Sequence, residues 1–168
     1  NEGLAEYYST FDITDGDKKV WLGKVVSDHV YLLRERNFLP LRQLLEIDNG
    51  SADYNERDKK GVFYAESWAL VHYLMLGKNG QRQPQLIQFL GLLGKGLAPG
   101  EAFQQAFQTD YATMEKELRE YISRNSYPVH VVIPDEKLQF DATIQAEPVG
   151  EADAQFYLGD LLLHMNRL

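Results

Sequence analysis

Between Val62 and Leu76 the apolar residues Phe63, Leu70, Val71 and Leu74 recur at helical spacing, and Gly77 stands where such an element can end. A stripe of this kind marks the most informative helix of the chain. The neighbouring sequence offers suitable partners. Gln85 to Leu93, Pro99 to Phe107 and Asp110 to Ser123 each predict a helix, and in the last of these Tyr111, Met114, Leu118, Tyr121 and Ile122 form one stripe. Upstream, Leu4, Ala5, Tyr7 and Tyr8 give the opening helix an apolar side that runs out at Ser9-Thr10. Ser27 or Asp28 is placed to cap a short helix through Val30, Leu33 and Arg34, and Pro40 to open another carrying Leu41, Leu44, Leu45 and Ile47. The expected class is mainly α.

Extended structure is confined to short pieces. Phe11 to Thr14 and Val20 to Leu22 flank Asp15-Gly16-Asp17-Lys18-Lys19, a hairpin signal. Asp12, Asp15 and Asp17 lack the spacing and following ligands of a calcium loop, so they read as turn chemistry. Val129, Val131 and Ile133 alternate with His130 and Val132 and are expected to pair with Phe140 to Ile144 as a small β appendage. Asp48 to Gly61, polar and highly charged, predicts a long exposed loop. The expected organisation is a helical subdomain over 1–125, an extended linker over 126–149, and a terminal helix over 150–168 bearing Ala154, Tyr157, Leu158, Leu161, Leu162 and Met165 on one side.

Of the 168 residues, 44% are apolar and 25% charged, an ordinary globular balance. A formal charge of -8 without a lysine or arginine run argues against nucleic acid. The absence of cysteine excludes disulfides and thiol ligands but leaves the compartment open. The longest apolar stretches fall well short of the roughly 20 residues that cross a bilayer, so no membrane span is expected.

Two short motifs carry chemistry. Asn1-Glu2-Gly3-Leu4-Ala5-Glu6-Tyr7-Tyr8 resembles the segment of gluzincin (peptidase MA-like) metallopeptidases that delivers the glutamate zinc ligand. The resemblance implies that Glu2 binds zinc, and that Glu6, one turn later on the same face, holds a zinc histidine by its free ring nitrogen. Tyr64-Ala65-Glu66-Ser67-Trp68 resembles the Tyr-x-x-Gly helix of gluzincin aminopeptidases, with Ser67 where that family has glycine. It implies that the Tyr64 hydroxyl donates to the oxyanion of a zinc-bound intermediate. The order of helices after Tyr64 also resembles peptidase-like bacterial proteins of the superfamily, some of them joined to tetratricopeptide repeats. Leu158-Gly159 followed by Leu162 resembles the first helix of such a repeat. On the residues alone, Glu2 and Glu6 read equally as solvated carboxylates at a helix start, and Tyr64 as a helix-start aromatic with its hydroxyl bonded elsewhere.

The family's other motif, H-E-x-x-H, is missing: His29, His72, His130 and His164 include no pair four residues apart. His72, alone on a mostly apolar face, reads as a core residue, and the other histidines form no metal set. Trp21 and Trp68 read as packing anchors. No nucleophile elbow, phosphate loop or dinucleotide fingerprint is present. The expectation is half of a zinc peptidase domain, supplying Glu2, Glu6 and Tyr64 to a centre completed by an upstream segment and inactive as this chain alone. In the complete domain, metal-activated water would attack a peptide carbonyl. The competing expectation is a noncatalytic helical scaffold that binds a protein partner, through repeats or otherwise.

Overall fold

A computed structural model describes residues 1–14, 16, 18–47, 57–135 and 148–164, with the side chains of 57–60 and 163–164 left aside. The described elements are the helices α1 (Glu2–Ser9), α2 (Ser27–Glu35), α3 (Leu41–Glu46), α4 (Arg57–Leu76), α5 (Gln83–Gly94), α6 (Pro99–Phe107), α7 (Tyr111–Ile122) and α8 (Glu151–His164), with strands β1 (Asp12–Thr14), β2 (Lys19–Leu22) and β3 (His130–Val132). The protein is mainly α with a small antiparallel sheet. None of the described helices is long and apolar enough to cross a membrane. The chain divides into two units, 1–137 and 138–168.

In the first unit α4 is the axle. Ala65, Trp68, Ala69, Tyr73 and Leu74 are buried, as are Glu66 and His72, so this helix is covered on nearly every side. Its neighbours contribute Tyr7 from α1, Val30 and Leu33 from α2, Leu41 and Leu44 from α3, Leu86 and Phe89 from α5, Phe103 and Phe107 from α6, and Met114, Leu118 and Tyr121 from α7. Full burial of each such side chain contributes about 1.5–3 kcal/mol. The helix also starts earlier than its apolar pattern. Arg57 to Gly61, expected in a loop, form its first turns, while Asp48 to Glu56 lie outside the described residues. Tyr64 therefore sits about two turns into α4 rather than at its start.

At the other end the chain turns through a short 3₁₀ segment, Gly77–Gly80, in which Lys78 and Asn79 are left-handed at φ 48° and 57°. Glu117 of α7 holds this turn: its carboxylate accepts from Tyr73 Oη, Lys78 Nζ and Arg82 Nη2, each at 2.6 Å. Neither Ser27 nor Asp28 caps α2, whose N-cap is Val26 without a side-chain bond. Asp110 does cap α7, its Oδ1 accepting the Thr113 N–H at 2.7 Å.

The hairpin forms as expected, with Asp12 opposite Trp21 and Thr14 opposite Lys19; Asp15 and Asp17 lie outside the described residues. The strand expected over 129–133 is present as β3 (His130–Val132). β3 pairs with β2, His130 opposite Leu22 and Val132 opposite Val20, completing the order β1-β2-β3. Residues 140–144 lie outside the described residues. β2 thus pairs on both edges, although Leu22 and its partner His130 are 108 residues apart. In the second unit, α8 exposes Phe156, Tyr157, Leu158, Leu161 and Leu162 by 40% or more of their surface.

One close approach sets the position of α1. A Cβ on Gly3 would lie 2.4 Å from Ser67 O and 2.8 Å from Val71 Cγ2 of α4. Glycine is the residue that lets the two backbones touch. Gly91, on an exposed face of α5, has nothing within 4 Å of an added Cβ. In urea denaturation, Gly3→Ala is expected to destabilise by about 1–3 kcal/mol through overpacking against backbone. Gly91→Ala is expected to stabilise by about 1 kcal/mol through helix propensity alone. Equal effects of the two substitutions would remove the close approach from the account.

Candidate functional site

α1 presents Glu2 and Glu6 one turn apart, each with a side chain about 30% exposed. Glu6 has a partner in this chain: its Oε2 lies 3.0 Å from Nε2 of His29, a residue of α2 that is 19% exposed. The pair joins residues 23 apart in sequence, and the His29 ring lies 5.8 Å from that of Trp68. Trp68 itself is fully buried, as expected of an anchor. Sequence spacing did not single out His29, because the signal exists only after α1 and α2 have both docked on α4. A carboxylate bound to an imidazole nitrogen fixes the ring's tautomer and orientation, the type of task Glu6 was expected to perform for a metal-binding histidine.

Tyr64 is partly buried at the edge of the core, its ring meeting that of Phe63 edge-on at 5.5 Å. It precedes Ser67 by one helical turn, and Ser67 is the residue whose carbonyl Gly3 meets. The two motifs, 62 positions apart between Glu2 and Tyr64, thus belong to two helices in direct backbone contact.

Among the described residues, no group of three or more histidine, cysteine, aspartate or glutamate side chains is arranged to hold a metal ion. Glu2 is a suitable hard oxygen ligand, but a catalytic zinc takes three protein ligands. His29 Nε2 faces Glu6 and His72 is enclosed in the core, so neither completes a set with Glu2. The residues described here do not by themselves form a zinc site.

His72 shows what this fold does with a buried imidazole. Nε2 lies 2.9 Å from Gly23 O and Nδ1 lies 2.7 Å from Tyr121 Oη. A carbonyl can only accept, so Nε2–H donates to Gly23 and Nδ1 accepts the tyrosine hydroxyl. Burial pushes the ring's pKa down to about 4, partly opposed by the bond to Gly23. The histidine is neutral and pins β2's exit to α4 and α7, agreeing with its reading as a core residue.

Glu66, inside the Tyr64 motif, was not singled out by the sequence argument and is fully buried. Its Oε2 accepts the Leu39 N–H at 2.7 Å, while Glu115 Oε1 accepts that of Leu41 at 2.7 Å. The two carboxylates hold the turn that leads into α3. Oε1 of Glu66 has no hydrogen-bond partner among the described residues. Burial pushes its pKa up to about 8, opposed by the Leu39 bond and by the charge of Arg119 and reinforced by Glu115. No local sequence signal distinguishes this glutamate from a surface one, since its burial is created by α3 and α7 closing over α4.

These two groups set opposite pH dependences. Glu66 keeps its proton in the folded state up to about pH 8, whereas the unfolded chain releases it near 4.5. Its contribution is therefore fully present below 4.5 and is lost as pH rises to 8. His72 resists protonation down to about pH 4 while the unfolded chain gains a proton near 6.5, so its contribution is lost as pH falls from 6.5 to 4. Between pH 6.5 and 8 Glu66 acts without His72. There, stability is expected to fall by up to about 1.4 kcal/mol per pH unit, and Glu66→Gln to abolish that slope. Chemical denaturation at a series of pH values measures it; an unchanged slope in Glu66→Gln would show that Glu66 is ionised when folded.

No family model, curated protein or solved structure matches this chain.

Proposed function

We propose that the chain is the helical part of a gluzincin-type zinc peptidase, contributing Glu2 as metal ligand, Glu6 as the residue that orients an imidazole, and Tyr64 as the oxyanion donor. The H-E-x-x-H histidines and the general base come from a segment preceding Asn1, and the substrate is a peptide or protein. The observation that carries this reading is the contact of α1 with α4 at Gly3 and Ser67, which joins the two motifs on adjacent helices. The Glu6–His29 pair supports it further, because a carboxylate on this face of α1 already engages an imidazole at 3.0 Å. Bound zinc would supply activation of water. The chain's own tasks are to offer a carboxylate, to hold a ring in one orientation and to donate a phenolic hydrogen bond where negative charge develops.

The isolated chain, with Glu2 alone, is expected to bind no zinc tightly. Isothermal titration showing submicromolar affinity at 1:1 stoichiometry would contradict this and point to a ligand set within the chain. In an active protein extended upstream, Tyr64→Phe is expected to lower kcat by on the order of 10²–10³ with zinc retained, by analogy with loss of one oxyanion donor. Glu2→Gln is expected chiefly to weaken metal binding. Unchanged kcat in Tyr64→Phe would make Tyr64 a packing residue.

A second reading, a noncatalytic scaffold that binds a protein partner, is favoured by α8. Phe156 and Tyr157 are 70% and 65% exposed, and the run continues through Leu158, Leu161 and Leu162. In a repeat array a following helix covers such a stripe. Deleting residues 150–168 is expected to alter sedimentation or thermal stability through loss of an associating surface; identical behaviour of the shortened chain would count against that role.

A further inference from the structure

We propose that the cavity lined by α1, α3, α4, α5 and α6 is a binding site for one compact apolar side chain of a polypeptide, of leucine or phenylalanine size. The cavity measures about 180 Å3. An apolar protein cavity of about 150 Å3 stays dry and admits a benzene ring, so this space suits one ring or branched alkyl group. Leu44, Phe63, Leu74, Leu86, Phe89 and Phe103 supply buried wall. These side chains give water no hydrogen-bond partner, which makes the interior more favourable to a hydrocarbon group than to solvent.

The polar residues of the lining are Asn1, Glu2 and Ser67, none of them fully buried. An occupant matched to this arrangement is apolar at its inner end and polar at its outer end. A side chain carried on an amide backbone has that form; a free hydrocarbon would leave the outer groups unused. Gly3, which also lines the space, fixes α1 against α4, so this wall is in place before any ligand arrives. Naming the occupant as part of a peptide rests on the peptidase reading, since Glu2 lies in the same lining; the apolar cavity does not rest on it.

The test is methyl NMR of the 168-residue chain titrated with N-acetyl-L-phenylalaninamide, with N-acetylglycinamide as the side-chain-free control and toluene as a bare ring. The phenylalanine amide is expected to give saturable shifts at Val71, Leu74 and Leu86, and the glycine amide none. Leu90, a lining residue 37% exposed, marks the rim, so Leu90→Trp is expected to abolish the shifts with the fold retained by circular dichroism. Ile87→Trp, on the same helix but 63% exposed and outside the lining, is expected to preserve them. Toluene shifts without phenylalanine-amide shifts would overturn the peptide side chain as occupant. Silence from both probes would overturn the site altogether. The titration needs no metal, so its failure leaves the zinc assignment standing, and an inactive extended protein leaves the expected shifts unchanged.

Discussion

The backbone contact between Gly3 and Ser67 is the constraint on which the arrangement around α1 depends. With any side chain at residue 3, the first helix would have to retreat from α4, because an added Cβ would fall 2.4 Å from a carbonyl oxygen rather than against a movable side-chain end. Tyr7, one turn further along α1, is held to the same standard. It is buried, and Gly23 gives its ring room, since a Cβ there would lie 2.4 Å from Tyr7 Cε2. Two glycines on different segments thus seat one short helix, and that seating determines where Glu2 and Glu6 stand. Close packing transmits such a displacement instead of absorbing it.

The same helix joins elements far apart in sequence. Through Glu6 it reaches His29 of α2, and through the Tyr7 ring it lies 6.1 Å from His72, which is itself bonded to Gly23 and Tyr121. Imidazoles in this protein are held by specific partners in two different ways. His72 is buried, neutral and committed to structure, whereas His29 remains partly exposed beside a carboxylate. The difference follows from depth: His72 on α4 faces the interior near Tyr121 and Tyr127, while His29 on α2 is partly exposed beside Trp68.

Helical periodicity was the legible part of the sequence. Tyr111, Met114, Leu118, Tyr121 and Ile122 announced α7, and Met114, Leu118, Tyr121 and Ile122 are all buried there. The start of α4 was hidden because Arg57 to Lys60 are all charged and carry no apolar pattern to read. The β2–β3 pairing was equally hidden, since Leu22 and His130 stand 108 residues apart and no local signal links them. Glu2, Glu6 and Tyr64 are proposed for the candidate site from short motifs. His29, Glu66 and the apolar cavity were not legible, because each is produced by tertiary packing among residues with ordinary local sequence.

The central claim is the proposal that α1 delivers Glu2 as a metal ligand, with Glu6 one turn away placed to orient an imidazole. Anomalous diffraction at the zinc edge, on crystals of the protein extended upstream of Asn1, addresses it most directly. The account predicts one zinc peak with a Glu2 carboxylate oxygen at roughly 2.0–2.2 Å and two histidine nitrogens from the upstream segment completing the protein ligands. A zinc peak whose ligands exclude Glu2, or no peak in protein crystallised with excess zinc, would contradict it.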